Sequence, residues 1–521
     1  MTGPTVTTVP APASTVADAP PSPGPLALYR AIAEDAARWW LGPVVAGLVV
    51  VAYLVLRTMD VDAAGLRAWL ALAVAFTLVS PAGGLLVLAA IAPFGEGIPL
   101  SGEVGSKAAL ALALAASAGL RWAVDVAVRW RTTGRIGPIP RALIPVGLAL
   151  ALLPATAFGL LRTQERFGAA FTVGAAQIWA QGVATMLLVF VATVWIGRRG
   201  VRGPIILTLV ATTIAGLISL ADFWSDATLR ETPLDWLLTG AFNPSRLTGV
   251  IRSPTSTAAL VMLPISIALT VAVLGRDRRA RLLAAVVSVP LLVAAYLTFN
   301  RTVFIALLVG VVIVGWRIRR ALGVALATAG VIVSIVAIPW YIAVRGASVG
   351  GASEIPPGEV LIASDQMRIT AWGAATRMFL DEPLLGQGYR SYRQLAEAFG
   401  DPILNAPHNE WLRLFAEHGA IVGLLGLAFA ASIAIVLARR PGWLETGLLV
   451  AFLSLCLAAC FNNTFLFNQV TIPAFVLAGS GVALALRQDA PDTAPDQAPD
   501  APDQAPDAPD AAADQAPDAP A

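Results

Sequence analysis

The sequence has few charged residues: only 13% of its 521 residues are Asp, Glu, Lys or Arg. A soluble globular domain carries about 25% charged residues to cover its surface, so the composition excludes a chain that is water-soluble throughout. Hydrophobic residues make up 57% of the chain, and they form long continuous runs. Continuous runs favour an all-α, polytopic membrane helix bundle over a β-barrel, whose strands would alternate apolar and polar residues.

Lysine, cysteine and histidine are also scarce. Lys107 is the only lysine, and the chain has two cysteines and two histidines. Cys456 and Cys460 are four residues apart in an apolar run, which predicts small residues on one helix face and does not fit a cysteine-rich metal site. No Asp-rich motif typical of a metal site is present either. We therefore expect neither a metal nor another cofactor.

The two ends of the chain differ from its body. Residues 1–38 begin with a stretch rich in Pro, Thr, Ala and Ser that lacks the order of a signal peptide, and we expect a disordered cytoplasmic arm. Residues 487–521 repeat Ala-Pro-Asp, with nine Asp and no basic residue from Asp489 onward. Frequent prolines and mutual repulsion of the Asp side chains predict a disordered acidic tail.

Between the ends lie fourteen apolar segments, in membrane regions that we place at 39–341 and 419–486. The segments at 66–80 and 83–94 are shorter than the ~20 residues of a straight span, so we expect 12 to 14 transmembrane helices. With fourteen spans, every arginine cluster lies on the side of both termini, which the positive-inside rule makes cytoplasmic. The longest outward loops are then 222–255 and 342–418, and loops of this length usually carry function.

The outward loop 342–418 has its own pattern. Asp365 precedes a stretch in which Trp372, Ala375, Met378 and Phe379 share one helical face, which predicts an amphipathic helix capped by Asp365. A turn rich in Pro and Gly follows. After it comes His408-Asn409-Glu410-Trp411.

Candidate site residues follow from side-chain chemistry. His408 can exchange a proton near neutral pH, and Asn409 and Glu410 could orient it or bind a sugar hydroxyl; a single surface histidine, however, is commonly without a role. Arg301, Arg246 and Arg252 lie on the outward side, against the usual bias, and their planar groups suit phosphate oxygens. Alternatively, these arginines reach lipid headgroups, or pair with an acid such as Asp222 or Asp226.

The motifs together resemble the O-antigen ligase-like superfamily. The resemblance rests on Arg368…Trp372, on Asp381-Glu382-Pro383-Leu384-Leu385-Gly386-Gln387-Gly388, on His408-Asn409-Glu410-Trp411-Leu412 and on Glu417-His418-Gly419. Arg246-Leu247-Thr248-Gly249 and Asn300-Arg301 resemble two further elements of that family. The turn departs from the family pattern, because Glu382 stands where His is common.

The resemblance implies a GT-C-like helical fold and a metal-independent, inverting glycosyltransferase of the cell envelope. Its donor would be a polyprenyl diphosphate-linked glycan, and its acceptor would be a hydroxyl of a glycan, lipid or protein. The protein would lie in the bacterial inner membrane and transfer the glycan on the extracytoplasmic face. His408 and Arg301 would be catalytic, and Arg246, Arg252, Asn409 and Glu410 would bind substrate. We expect no nucleic-acid partner.

Two other classes fit the helix count. A transporter would show paired interrupted helices at mid-membrane, but Gln177 and Gln181 share a face in one segment without a matching pair in another half. A non-catalytic scaffold would need none of the outward arginines. Arg301 and His408 on one outward cavity would favour the enzyme over both.

Overall fold

The computed structural model describes residues 41–59, 62–94, 99–101, 104–133, 141–198, 200–226, 228–232, 235–238, 246–251, 253–349, 357–403 and 406–489. The arm expected at 1–38 lies outside these residues. So does the tail expected at 487–521, apart from the last turn of the final helix, which continues to Asp489.

Apart from the short antiparallel strands β1 (Pro99–Ser101) and β2 (Val104–Gly105), the regular structure of the described residues is helical. The first nine helices are α1 (Leu41–Thr58), α2 (Ala63–Val79), α3 (Pro81–Ile91), α4 (Ser106–Thr133), α5 (Ile144–Trp179), α6 (Thr185–Gly197), α7 (Arg202–Trp224), α8 (Pro254–Leu274) and α9 (Arg278–Leu297). The others are α10 (Arg301–Ile318), α11 (Arg320–Val349), α12 (Pro357–Asp381), α13 (Tyr392–Leu395), α14 (Glu410–Ala438), α15 (Trp443–Ala459) and α16 (Asn468–Asp489).

The protein is an all-α, multi-pass membrane protein, as the composition predicts. Within the described residues, eight helices are long and apolar enough to cross a membrane, and five further apolar helices have 10–17 residues. The two doubtful short segments are separate helices, because Ser80 leaves the helical conformation between α2 and α3 and its side chain caps α3. The count of 12 to 14 spans stays a prediction.

Two of the fourteen apolar segments of the sequence, at 142–161 and 172–197, are not joined by a loop. They form one helical run, Arg141–Gly197, of 57 residues. At 1.5 Å per residue this run is roughly 85 Å long, far more than the ~30 Å of bilayer hydrocarbon, so it must bend to stay with the bundle. It bends at Gly168, whose φ is +79°, and a π-helical turn at Ala180–Ala184 separates α5 from α6.

Helix α16 lies at the centre of the bundle and packs against α6, α7, α14 and α15. Its Phe475 contacts the aromatic rings of Phe190, Phe429, Phe452 and Phe465, at centroid distances of 6.0 to 6.5 Å. Aromatic rings bury large apolar areas and prefer edge or offset contacts of this kind. One side chain therefore ties four separate chain segments to the central helix.

Most of the described residues in the segment 342–418, which we predict to face outward, are helical. Helix α11 extends to Val349, and α12 contains the amphipathic helix predicted near 365–379. Asp365 does not cap α12, because the helix begins eight residues earlier, at Pro357. The buried face of α12 includes Ala375 and Met378, as expected, while Trp372 and Phe379 are only half-buried.

We predict unequal effects of alanine at two glycines that share a backbone conformation. Gly168 and Gly419 both have φ near +75° and extended ψ, a region that costs any other residue about 1–3 kcal/mol. An added Cβ at Gly168 meets open space, whereas at Gly419 it would overlap the carbonyl group of Leu384. Gly419→Ala should therefore lose a further ~1–3 kcal/mol through overpacking.

The measurement is the apparent thermal unfolding midpoint of each purified variant in detergent, with Gly168→Ala as the matched control. Equal losses in the two variants would mean that the contact between Gly419 and Leu384 has no energetic weight.

Candidate functional site

Three arginines line one cavity where the first turns of α8 and α10 meet α12. The cavity has a volume of about 330 Å³, and the described residues that line it include Arg246, Arg301 and Arg368 but no carboxylate. The other lining residues are Thr255, Phe299, Asn300, Thr302, Ile305, Ile369, Trp372 and Phe461. We call this space the arginine cavity, and its charge suits an anionic ligand.

Arg246 is held by the end of helix α9. Its Nε and Nη2 both donate to the carbonyl oxygen of Thr298, at 3.1 and 3.0 Å. Thr298 follows the last residue of α9, where the carbonyl groups carry the negative end of the helix dipole. Asp222, which the sequence offered as a partner, instead accepts two bonds from Arg230, at 3.1 and 2.8 Å.

The structure explains why a glycine ends the segment Arg246-Leu247-Thr248-Gly249. The N–H of Leu247 donates to the carbonyl oxygen of Leu297 at 3.0 Å, and the Leu247 side chain is fully buried. Gly249 has φ +66°, and an added Cβ would overlap Ser219 of α7. The hydroxyl of Ser219 accepts a bond from the N–H of Val250 at 3.2 Å. Glycine is therefore required for this turn to dock on α7 and present Arg246 to the cavity.

Arg301 is the first residue of α10. The side chain of Asn300 caps the helix by accepting a bond from the N–H of Thr302 at 3.1 Å. Phe299 has φ +49°, which makes the turn between α9 and α10 tight. The positive end of the α10 dipole therefore adds to the guanidinium charge at the cavity.

Arg368 was named from the sequence only as part of the family resemblance and was not among the candidate site residues. Arg368 projects from α12 beside Ile369 and Trp372 and lines the arginine cavity. The Trp372 ring packs against Phe461 at a centroid distance of 6.2 Å. The signal for Arg368 was its spacing of four residues from Trp372, which places both on one helix face.

His408 does not line the arginine cavity, so Arg301 and His408 do not share it, although His408 is close enough to Arg368 for the guanidinium charge to act on it. It is half-buried, and its φ of +50° is rare for a residue other than glycine. Burial and the nearby charge of Arg368 hold the pKa of His408 below its usual 6.5, while Asp401 acts in the opposite direction. His408 is therefore neutral at pH 7 and can accept a proton.

Asn409 and Glu410 stabilise the first turn of α14. The Asn409 Oδ1 accepts the N–H of Leu412 at 3.0 Å and caps the helix. Glu410 is buried, forms an ion pair with Arg413 at 2.5 Å, and accepts the N–H of Phe465 at 3.0 Å. Neither residue lines the arginine cavity. The remaining candidate, Arg252, lies outside the described residues.

The turn that contains Gly386 and Gly388 and the segment that contains Gly419 lie before and after His408 in the chain, and they are hydrogen-bonded to each other. The N–H groups of Gln387 and Gly388 donate to the carbonyl oxygens of Ala416 and Glu417, at 3.0 and 2.9 Å. Glu382 pairs with Arg166 at 3.0 Å and with Arg162 at 3.4 Å. The turn therefore connects α14 to α5.

Residues 286–428 match the family model of the O-antigen ligases (Wzy_C). The resemblance is thus confirmed for a region that includes Arg301, Arg368 and His408 but not Arg246. No curated protein matches the chain.

We predict that His408 titrates below pH 6.5 and responds to its two charged neighbours. Arg368→Gln should raise its pKa, because a positive charge that disfavours the imidazolium is lost; Asp401→Asn should lower it further. The measurement is NMR of protein labelled at histidine. The chain has only two histidines, so one His408→Gln spectrum assigns both signals. A pKa at or above 6.5 that neither substitution moves would contradict the geometry.

Proposed function

We propose that this protein, whose residues 286–428 carry an O-antigen ligase domain, transfers a glycan from a polyprenyl diphosphate carrier to a hydroxyl acceptor. The reaction would take place on the extracytoplasmic face of a bacterial inner membrane. The observation that carries the proposal is the arginine cavity, which Arg246, Arg301 and Arg368 line together.

The position of the cavity supports an outward site. Helix α9 begins at Arg278, within the cluster Arg276–Arg281, and α10 ends beside the cluster Arg317–Arg320. The positive-inside rule assigns both clusters to the cytoplasm. Each helix crosses once, so the turn between them, which carries Arg301, faces outward.

The cavity chemistry suits a departing diphosphate. As the bond between the sugar and the diphosphate breaks, negative charge grows on the leaving oxygen. Fixed guanidinium groups and the N-terminal end of α10 stabilise that charge more in the transition state than in the ground state, which lowers the barrier. Arg301 and Arg368 would contact the diphosphate, with Arg246 beside them.

His408 would act as the general base. Its neutral imidazole accepts the proton of the acceptor hydroxyl while that oxygen forms a bond to the anomeric carbon. The bond from the same carbon to the diphosphate breaks on the opposite side, so the configuration inverts. The left-handed backbone of His408 fits this role, since strained conformations are retained where the surrounding structure holds a functional group.

Asn409 and Glu410 support this mechanism as positioning residues. Asn409 caps α14, and the buried pair of Glu410 and Arg413 anchors the first turn of that helix. Both residues follow His408 in the chain, so a shift of this first turn would move the imidazole. A direct contact of either residue with sugar is not needed.

We predict that Arg301→Lys and Arg368→Lys each lower kcat by about 10²-fold or more, the scale seen when one transition-state donor is removed. Lysine keeps the charge but loses the planar, two-pronged donor. The assay is glycan transfer by purified protein in lipid nanodiscs. Arg278→Lys, at the cytoplasmic end of α9, is the matched control and should retain normal turnover. Normal turnover in Arg301→Lys and Arg368→Lys would remove the diphosphate role.

We predict that His408→Ala lowers kcat by about 10²–10⁴-fold, the usual contribution of a general base. His418→Ala is not a suitable control, because His418 is fully enclosed beside Tyr389; His408→Gln serves as the variant of similar size. Surface glycans of a deletion strain carrying each variant provide a second readout on gels. A folded His408→Ala protein with normal transfer would exclude the base.

A further inference from the structure

A second group of arginines lines a pocket at the end of α14 that is opposite to His408. The pocket has a volume of about 510 Å³, and ligand sites commonly have about 300–1,000 Å³. The described residues that line it include Arg141, Arg439 and Arg440. We call this space the second arginine pocket. The positive-inside rule predicts that this end of the bundle faces the cytoplasm.

These arginines come from segments that are far apart in the chain. Arg141 begins the single 3-10 turn before α5, whereas Arg439 and Arg440 follow the last residue of α14. The Nη2 of Arg440 donates to the carbonyl oxygen of Ala485, near the end of α16, at 3.4 Å. Packing of three helix ends therefore gathers the guanidinium groups around one space. Arginines that reach lipid headgroups singly from a helix surface would not need this arrangement.

The lining of this pocket changes from charged to apolar along α14. Ile144 of α5 and Ile435 of α14 both line it, and they are 53% and 48% exposed. Ser432 also lines it, but its hydroxyl group donates to the carbonyl oxygen of Phe429 at 2.7 Å and is satisfied within the helix. From Arg439 to Ser432 the helix rises roughly 10 Å. A ligand in the pocket would therefore contact guanidinium groups at one end and aliphatic side chains at the other.

An exposed apolar face of α14 continues from the pocket. Ile435, Leu427, Leu424 and Ile421 are all exposed, and their spacing places them on one side of the helix. From Ile421 to Ile435 this face is roughly 21 Å long, which is more than the ~15 Å of one hydrocarbon leaflet, half of the ~30 Å of a bilayer. A hydrocarbon chain that leaves the pocket can therefore stay in contact with α14 over its full length.

We propose that the second arginine pocket binds the phosphodiester headgroup of an anionic phospholipid, whose acyl chain lies along the exposed face of α14. Guanidinium groups bind phosphate oxygens through paired donors, and basic pockets between membrane helices on the cytoplasmic side are typical sites for anionic lipid headgroups. The inference does not depend on the proposed function, because the second arginine pocket shares no described lining residue with the arginine cavity.

The chain itself supplies another anion. Nine Asp and no basic residue follow from Asp489 onward, and Asp489 is four residues after Ala485, which lines the pocket. Carboxylates of this tail would satisfy the arginines but would leave Ile144 and Ile435 without an apolar partner. The exposed aliphatic lining therefore favours a lipid over the tail, and for the same reason over free phosphate.

The test measures binding of phosphatidylglycerol to the full-length protein in detergent by native mass spectrometry. Phosphatidylcholine with the same acyl chains is the zwitterionic comparison. Arg141→Gln/Arg439→Gln removes two exposed arginines of the pocket, and Arg440 is kept because it holds the end of α16. Arg278→Gln/Arg279→Gln is the matched control, because it removes two exposed arginines at the start of α9 that do not line the pocket.

Arg141→Gln/Arg439→Gln should weaken phosphatidylglycerol binding by about tenfold or more, because each arginine near the membrane surface adds to the attraction of an anionic lipid. It should change phosphatidylcholine binding little, since that headgroup has no net charge. Ile435→Gln should weaken both lipids, because an apolar contact with the acyl chain is lost. The control should bind both lipids as wild type does, and inorganic phosphate should not displace phosphatidylglycerol.

Three results would overturn the inference. If the pocket variant and the control lose phosphatidylglycerol equally, the lipid responds to surface charge in general. If inorganic phosphate displaces the lipid and Ile435→Gln binds it as wild type does, the pocket takes a free phosphate. The third result concerns the tail: the wild-type chain shows no preference for phosphatidylglycerol, but a full-length variant with Asn in place of the nine Asp from Asp489 onward does. In that case the tail occupies the pocket.

Discussion

The candidate site depends on holding three guanidinium groups around one cavity at the end of the membrane helices. Like charges repel most strongly where water is scarce, so the protein must supply compensation. Part of it comes from main-chain carbonyl groups, as in the two bonds from Arg246 to Thr298 at the negative end of α9. Under the proposed function, the donor diphosphate would add to this compensation and would link the stability of the arrangement to its occupancy.

Several carboxylates of the described residues are paired with arginines that do not line the arginine cavity. Asp222 is bound to Arg230, Glu410 to Arg413, and Glu382 to Arg162 and Arg166. The pairs of Asp222 and of Glu382 join separate segments, whereas Glu410 and Arg413 lie one turn apart in α14. These acidic residues therefore hold helices and turns of the scaffold in place.

Three glycines near the candidate site are required by the conformation of the backbone and by close packing. Gly249, Gly386 and Gly419 all have positive φ and lie where a Cβ would overlap a neighbouring segment. Gly249 allows the Arg246 turn to dock on α7. Gly386 and Gly419 lie against each other where the turn that contains Glu382 meets α14. These contacts bring loop segments that are far apart in sequence to the same side of the bundle.

Much of this protein could be predicted from its sequence, and the limits have physical causes. Long apolar runs determine membrane helices locally, because each run must satisfy its own backbone in lipid, so the helical membrane fold and most helix positions followed from the chain alone. The sidedness and the roles of Arg301, Arg246 and His408 stay predictions. The family resemblance followed from motifs in the same way. The sequence could not decide which side chains meet. Glu410 is polar and only two residues from His408, yet its side chain pairs with Arg413. Arg368 belongs to a different helix, yet it lines the cavity because α12 lies against the turn between α9 and α10. Such contacts depend on how helices pack, and packing depends on residues distant in the chain.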